Sequence, residues 1–205
     1  MESIDAARNH ADPGETASGI DWLAIWQRTA RHLGRHAEIG LSTLLTEDVL
    51  RFAVVQELVA SGINPSGIEV EWRRPTVRDA VDLVVTSPEL AAIEFKYPRE
   101  PRQTNAAWTQ HLGESLKDFY RLASMPAGFS QRWCVQLWSR RVNAYFDGVA
   151  TRTGLALGTK PGQRTYLDPS IVTALPATAT GSLHRWLRSR PCGWWAFRGG
   201  CLGAY

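Results

Sequence analysis

Apolar residues that recur at steps of three and four mark the helical parts of the chain. This spacing lines them along one side of a helix, which can then pack against a core. Thr46 can cap the second helix because its hydroxyl accepts a hydrogen bond from a backbone N–H of the first turn, and Gly62 ends this helix. The predicted helices cover residues 20–37, 46–60, 103–124 and 141–150, with a further helix over 182–189.

Alternation of apolar and polar residues marks the strands, because successive side chains in a strand point to opposite faces. The turn sequence Ser-Pro-Glu-Leu over 87–90 joins two of these strands in a hairpin. The order helix, three-strand meander, helix, strand predicts an α/β fold with an N-terminal helix and C-terminal accessory elements. The predicted strands cover 68–74, 80–86, 91–97 and 132–139, with an aromatic strand within 192–199.

The length of 205 residues fits one domain with appendages, and 44% hydrophobic with 21% charged residues is typical of a globular protein. We expect a disordered segment over 1–19, a core over 20–150, and a basic, Trp-rich extension over 151–205 that packs on the core. No apolar run approaches the roughly 18 residues that a membrane span needs. The polar start of the chain and its three unpaired cysteines predict a cytoplasmic protein with reduced thiols.

The net charge of +3 hides an uneven distribution. Residues 1–130 hold 13 basic and 18 acidic residues, a net charge of −5, whereas residues 131–205 hold 10 basic and 2 acidic residues, a net charge of +8. This division suggests a cation-binding part followed by a polyanion-binding part. A basic surface that serves only solubility is the alternative.

The hairpin brings acidic and basic side chains together. With the turn centred near Pro88, residues whose numbers add to 176 lie opposite each other, so Asp82 faces Glu94 and Ala80 faces Lys96. Opposed residues project to the same face, and like charges there are destabilising unless a cation neutralises them. A surface salt bridge between Glu94 and Lys96 is the simpler alternative. Asp79 competes with Asp82, since a bulge would exchange their faces.

Two carboxylates and an ammonium group at this spacing suit metal-dependent phosphodiester hydrolysis. Oxygen ligands favour Mg²⁺, with Mn²⁺ as the alternative ion. Such an ion can polarise a phosphate, lower the pKa of a bound water and shield the leaving oxygen. Lys96 can orient the attacking water, or deprotonate it if the pKa of its own ammonium group is depressed.

These residues and the order of elements resemble the PD-(D/E)xK nuclease superfamily, whose fold is restriction-endonuclease-like. The likeness covers roughly residues 44–140, with Val81 where the motif has Pro. It implies that Asp82, Glu94 and the carbonyl of Phe95 bind the metal and that Lys96 is the catalytic lysine.

The same resemblance implies an acidic residue on the first core helix and polar residues on the second. Glu47 is the candidate on the first, as a metal ligand and catalytic residue, although an acid in a first helical turn also stabilises the helix dipole. Glu57 is the alternative on that helix. Gln110 is the catalytic candidate on the second helix, with Asp118 and Arg121 further along.

Arginines supply the expected contacts to nucleic-acid phosphates. Tryptophans interleave with the C-terminal arginines, a pattern that favours either stacking on bases or packing of the extension on the sheet. The candidate nucleic-acid contacts are Arg73, Arg74, Arg140, Arg141, Arg185 and Arg188.

The sequence therefore predicts a Mg²⁺-dependent endonuclease, a hydrolase that acts on DNA in restriction, repair or defence. A subunit of this size would cut one strand, so cutting both strands would take a homodimer or a partner protein. The alternative is a non-catalytic, nuclease-like module that binds nucleic acid or protein. A third hypothesis is an α/β domain in which the motif is accidental.

Overall fold

The computed structural model describes residues 19–73, 80–98, 105–153, 164–167, 195–198 and 200–202. Most of the segment predicted to be disordered, the predicted helix over 182–189 and part of the C-terminal extension lie outside these residues. No helix in the described part of the chain combines the length and the apolar composition that a bilayer span requires.

Within the described residues, four α-helices form where the three- and four-residue spacing predicted them. Thr46 caps the second, because its Oγ1 accepts a hydrogen bond from the N–H of Val49 at 3.2 Å. Ser61 follows that helix, and Gly62 has a φ of +91°, a left-handed conformation that suits glycine at a helix end. The helices are α1 (Trp22–Glu38), α2 (Glu47–Ala60), α3 (Asn105–Ala123) and α4 (Arg140–Thr153).

A five-stranded mixed sheet forms the centre of the fold, in the order β1-β2-β3-β4-β7. The first three strands are an antiparallel meander, as predicted, whereas β4 runs parallel to β3 after the crossover through α3. β5 and β6 form a separate two-stranded sheet, and β6 confirms a strand within 192–199. The strands are β1 (Ile68–Arg73), β2 (Ala80–Val85), β3 (Ala91–Lys96), β4 (Gln131–Leu137), β5 (Arg164–Leu167), β6 (Trp195–Arg198) and β7 (Gly200–Leu202).

Helices cover both faces of the sheet, and each pair has its own apolar core. Helices α1 and α2 pack on the face that carries Leu83, Ile93 and Phe95. Helices α3 and α4 pack on the opposite face, which carries Ala92 and Cys134. The alternation of side chains along β3 explains this division, since odd-numbered residues point to one face and even-numbered residues to the other.

Candidate functional site

The predicted hairpin register is confirmed over three residue pairs. Leu83 faces Ile93, Val84 faces Ala92 and Val85 faces Ala91, so the numbers of opposed residues add to 176. The ladder between β2 and β3 runs no further, so the predicted pairs Asp82–Glu94 and Ala80–Lys96 are not part of it. The two strands therefore separate at the level of Asp82.

Asp82 fills the gap where the strands separate. Its Oδ2 accepts a hydrogen bond from the backbone N–H of Phe95 at 2.7 Å, in place of a carbonyl of the neighbouring strand. A charged acceptor makes this a stronger bond than a neutral pair would. Asp82 is thus fixed beside the strand that carries Glu94 and Lys96, although not by the simple ladder pairing that the sequence predicted.

Side chains of β1 and β2 change faces at this point. Leu83 and Val85 contact the core beneath α1 and α2, but Val81, which has the same parity, contacts the core beneath α3 and α4. On β1, Glu71 lies between Val70, which pairs with Leu83, and Trp72, which pairs with Val81. Its φ is +52°, which is unusual for a residue other than glycine. This local reversal of the pleat turns Asp82 toward the plane of the sheet.

Glu94 is fully buried on β3, with 0% of its surface exposed, and it is neutralised by Arg121 of α3. Arg121 Nη2 donates a hydrogen bond to Glu94 Oε2. Burial raises the pKa of Glu94 well above its ordinary value, Arg121 opposes this shift, and the charges of Asp82 and Asp118 add to it. Such a group holds a proton more readily than an exposed glutamate does.

Lys96 is the next residue on the same face of β3, and its ammonium group lies between two carboxylates. Its Nζ is 3.1 Å from Asp118 Oδ2 and 4.0 Å from Glu47 Oε2. Burial alone would lower the pKa of Lys96, but Asp118 and Glu47 outweigh it and raise this pKa above its ordinary value. The depressed pKa that a lysine base requires is therefore not found, and Lys96 stays protonated at neutral pH.

Asp118 joins the two basic residues from α3. It is fully buried, and its Oδ1 lies 3.0 Å from Arg121 Nη2. Burial raises the pKa of Asp118, while Lys96 and Arg121 act in the opposite direction. Neither Asp118 oxygen makes a well-aligned hydrogen bond to a described residue, so the contacts are ion pairs at 3.0 and 3.1 Å.

Glu47 reaches the site from the first turn of α2. Its Oε2 accepts a hydrogen bond from the backbone N–H of Tyr97 at 3.3 Å, directly after β3. Burial raises the pKa of Glu47, and Lys96 lowers it. Glu57, the alternative candidate, lies near the other end of α2 and pairs with Arg28 of α1 at 2.7 Å. Of these two acids, the structure brings Glu47 to Lys96.

Arg51 approaches from α2, one turn after Glu47. Its Nη2 is 3.9 Å from Asp82 Oδ1, and its Nη1 is 3.8 Å from Glu71 Oε1. Arg51 was not among the predicted site residues, although its position four residues after Glu47 places both side chains on the same side of α2. The inner cluster thus holds four carboxylates and three cations: Glu47, Asp82, Glu94 and Asp118 with Arg51, Lys96 and Arg121.

Gln136 of β4 was also not singled out. It is opposite Lys96 in the parallel register and fully buried. Its Nε2 donates to Cys134 Sγ at 3.1 Å, while its Oε1 has no hydrogen-bond partner among the described residues. The available signal was a polar residue within the apolar run of residues 133–138.

Gln110 does not join the cluster. It is exposed on α3, two turns before Asp118. Asp118 could have been recognised by its spacing on α3. It lies three residues after Ser115 and four before Leu122, which are both buried, so it is on the same side of the helix. The second helix therefore contributes Asp118 and Arg121, the residues that the resemblance placed behind Gln110.

The predicted phosphate contacts are only partly within the described residues. Arg140 and Arg141 begin α4 and are exposed, directly after β4. Since β4 is parallel to β3, the start of α4 lies at the sheet edge where Lys96 lies. Arg73 is exposed at the end of β1. Asp79, the alternative to Asp82, lies outside the described residues. So do three of the candidate phosphate contacts, Arg74, Arg185 and Arg188.

The donor set of the cluster suits a hard divalent ion. Glu94 Oε1 is buried and has no hydrogen-bond partner within the described part of the chain, and Asp82 is its acidic neighbour. Carboxylate oxygens are what Mg²⁺ prefers. In the arrangement described, however, no group of three or more His, Cys, Asp or Glu side chains is placed to hold a metal among the described residues. Two carboxylates, with backbone or water oxygens, are the donors that remain.

Comparison with known proteins gives no family for this chain. No protein-family model, no curated protein and no solved structure matches it.

Proposed function

We propose that the chain is a metal-dependent nuclease that hydrolyses phosphodiester bonds in DNA. The observation that carries the proposal is the buried Glu94, held beside Asp82 and followed on the same face of β3 by Lys96. A fold has no structural need to bury acidic neighbours together, because each raises the cost of ionising the other. A bound cation would offset that cost.

The finer fold belongs to the same proposal. A helix, a three-strand meander, a crossover helix and a parallel strand follow one another from α2 to β4, which is the order of the restriction-endonuclease-like core. Helices lie on both faces of the sheet. This order supports membership of the PD-(D/E)xK superfamily.

In the proposed mechanism, Asp82 and Glu94 would hold Mg²⁺ or Mn²⁺, with the Phe95 carbonyl and water as further oxygen donors. Glu47, the acidic candidate on α2, lies 4.0 Å from Lys96 Nζ and would act on the site through that lysine. When bound, the ion would polarise the scissile phosphate and lower the pKa of an attacking water. Phe95 suits its part because its N–H is bonded to Asp82, which fixes the peptide on that side.

Lys96 contributes as a cation in this mechanism. Its raised pKa keeps it protonated, so it can donate hydrogen bonds to a phosphate oxygen and offset the charge that develops there. Asp118 orients the ammonium group from α3 at 3.1 Å. Arg140 and Arg141, exposed at the same edge of the sheet, would contact neighbouring phosphates.

The non-catalytic module remains the second candidate, and one observation favours it. Arg121 already neutralises Glu94, as a basic residue does where no metal is needed. A module of this kind would bind DNA without divalent ions and would leave it intact.

A cleavage assay separates the two. Circular duplex, linear duplex, single-stranded DNA and RNA are incubated with the protein and Mg²⁺, with chelator as control. Glu94→Gln and Lys96→Met should abolish cleavage while circular dichroism stays unchanged. Lys117→Gln, at a half-buried lysine of α3 that pairs with Glu114, should cut as the wild type does. Metal-dependent cleavage that survives both site substitutions would sink the assignment, and binding without turnover would favour the module.

A further inference from the structure

Helix α1 carries a basic face that the proposed active site does not use. We define the basic face as Arg28, Arg31, His32 and Arg35, which recur at steps of three, one and three. Residues at this spacing lie along one side of a helix. The buried side of α1 is a different one, formed by Trp22, Ile25, Trp26, Thr29 and Leu33.

The basic face borders a groove of about 240 Å³. Its four residues line the groove together with Glu57 of α2. Glu57 pairs with Arg28, whereas Arg31, His32 and Arg35 are exposed to solvent. The groove therefore presents an excess of positive charge, within a part of the sequence whose net charge is negative.

Two of these arginines are held in place before any ligand binds. Arg28 Nε donates to Glu57 Oε2 at 2.7 Å and Arg28 Nη2 donates to Ser61 Oγ. Arg31 Nε donates to the carbonyl of Gln27 at 3.4 Å. Side chains that are already ordered lose less conformational entropy when they bind, and guanidinium groups match phosphate geometry.

The groove lies beside α2, whose first turn carries Glu47 of the proposed active site. Arg28 is near the C-terminal end of α2, and α1 runs back from there, since Ala37 lines a small cavity with Leu45 and Tyr97 near the start of α2. Glu57 and Glu47 are ten residues apart, which is about 15 Å along a helix axis. That length equals roughly four base pairs of duplex at 3.4 Å each.

From this geometry we infer that the basic face of α1 docks the phosphodiester backbone of a nucleic acid, a few base pairs away from the phosphate at the active site. The inference rests on the proposed nuclease function, because that function supplies the ligand. Charge complementarity and the groove between α1 and α2 favour a phosphate backbone over an apolar partner. The contacts carry no base specificity.

The test measures binding rather than cleavage. A short labelled duplex is titrated without divalent metal, and its affinity is followed by fluorescence anisotropy between about 50 and 200 mM salt. Arg31→Gln and Arg35→Gln should each lower the slope of log affinity against log salt by about 0.9, and together they should weaken binding about tenfold. Lys117→Gln is the matched control, since its charge is already paired with Glu114 at 2.6 Å, and its slope should stay unchanged.

The outcomes separate this inference from the proposed function. Slopes that match the wild type in both arginine variants would overturn the docking face, even if cleavage is observed. A lower slope in the arginine variants, together with no cleavage by the wild type or by Lys96→Met, would support docking on the basic face. The same result would contradict the proposed nuclease function. Binding to phosphatidylserine vesicles that depends on Arg31 and Arg35, without binding to duplex, would assign the face to a membrane surface and overturn the inference.

Discussion

The carboxylate of Asp82 accepts a hydrogen bond from the backbone N–H of Phe95 at 2.7 Å, at the level where β2 and β3 stop pairing. One side chain thus replaces a hydrogen bond of the sheet and holds an acidic group next to Glu94. The side chain can compete with the sheet for this N–H because a carboxylate is a stronger acceptor than a peptide carbonyl. The opening in the sheet and the acidic site have the same cause.

Asp82→Asn should separate the structural part of this residue from its charge. An amide oxygen can still accept from Phe95, so we expect a free energy of unfolding within about 1 kcal/mol of the wild type. Asp82→Ala removes the acceptor and should cost about 1.5 to 3 kcal/mol, the worth of a hydrogen bond to a charged group. Urea denaturation measures both. Equal stability of the alanine and asparagine variants would contradict this role for the carboxylate.

Arg121→Met should be strongly destabilising, because it leaves Glu94 buried without a cation. Breaking a buried pair on one side costs about 3 to 5 kcal/mol. Adding Glu94→Gln to the same chain should recover at least half of that loss, because an amide carries no charge that needs a partner. Thermal and urea unfolding of the two single variants and the double variant give the coupling. Strictly additive losses would show that the pair does not act as a unit.

The sequence was sufficient for α1 to α4, for β1 to β4 and for three pairs of the hairpin register, because these follow from local patterns. Spacing located α1 to α4, the hydroxyl of Thr46 capped α2, and the turn near Pro88 fixed which residues face each other. Alternation alone also placed Glu94 and Lys96 on one face of β3. No distant part of the chain had to be known for these predictions.

The surroundings of the site were less predictable, because they depend on packing between distant elements. The face change beside Asp82 comes with the left-handed backbone of Glu71, a conformation that no pattern of apolar residues encodes. Arg121 of α3 pairs with Glu94 of β3, 27 residues away along the chain, a contact that depends on how the helix packs on the sheet. The raised pKa of Lys96 depends on Asp118 and Glu47, which come from two helices on opposite faces.

The stability of the protein should fall as pH rises above the ordinary glutamate pKa of 4.5. Burial raises the folded-state pKa of Glu94, Asp118 and Glu47, so the folded state holds more protons than the unfolded state over that interval. Stability that is present at low pH is then lost as pH rises through the folded-state pKa values. Urea midpoints across this range measure the slope. Glu94→Gln should flatten this slope, and Glu114→Gln, at a half-buried acid of α3 outside the inner cluster, should not.

Mg²⁺ should stabilise the folded protein if Asp82 and Glu94 hold it, because an ion that binds only the folded state shifts the unfolding equilibrium. At a free concentration of 100 times Kd the gain is about 2.7 kcal/mol. We expect a rise in Tm with Mg²⁺ that chelator reverses and that Glu94→Gln abolishes. Glu114→Gln is the control, since it removes an acid of α3 that pairs with Lys117 and is not a member of the inner cluster. An equal rise in Tm in the Glu94→Gln variant would show that Mg²⁺ binds elsewhere on the protein.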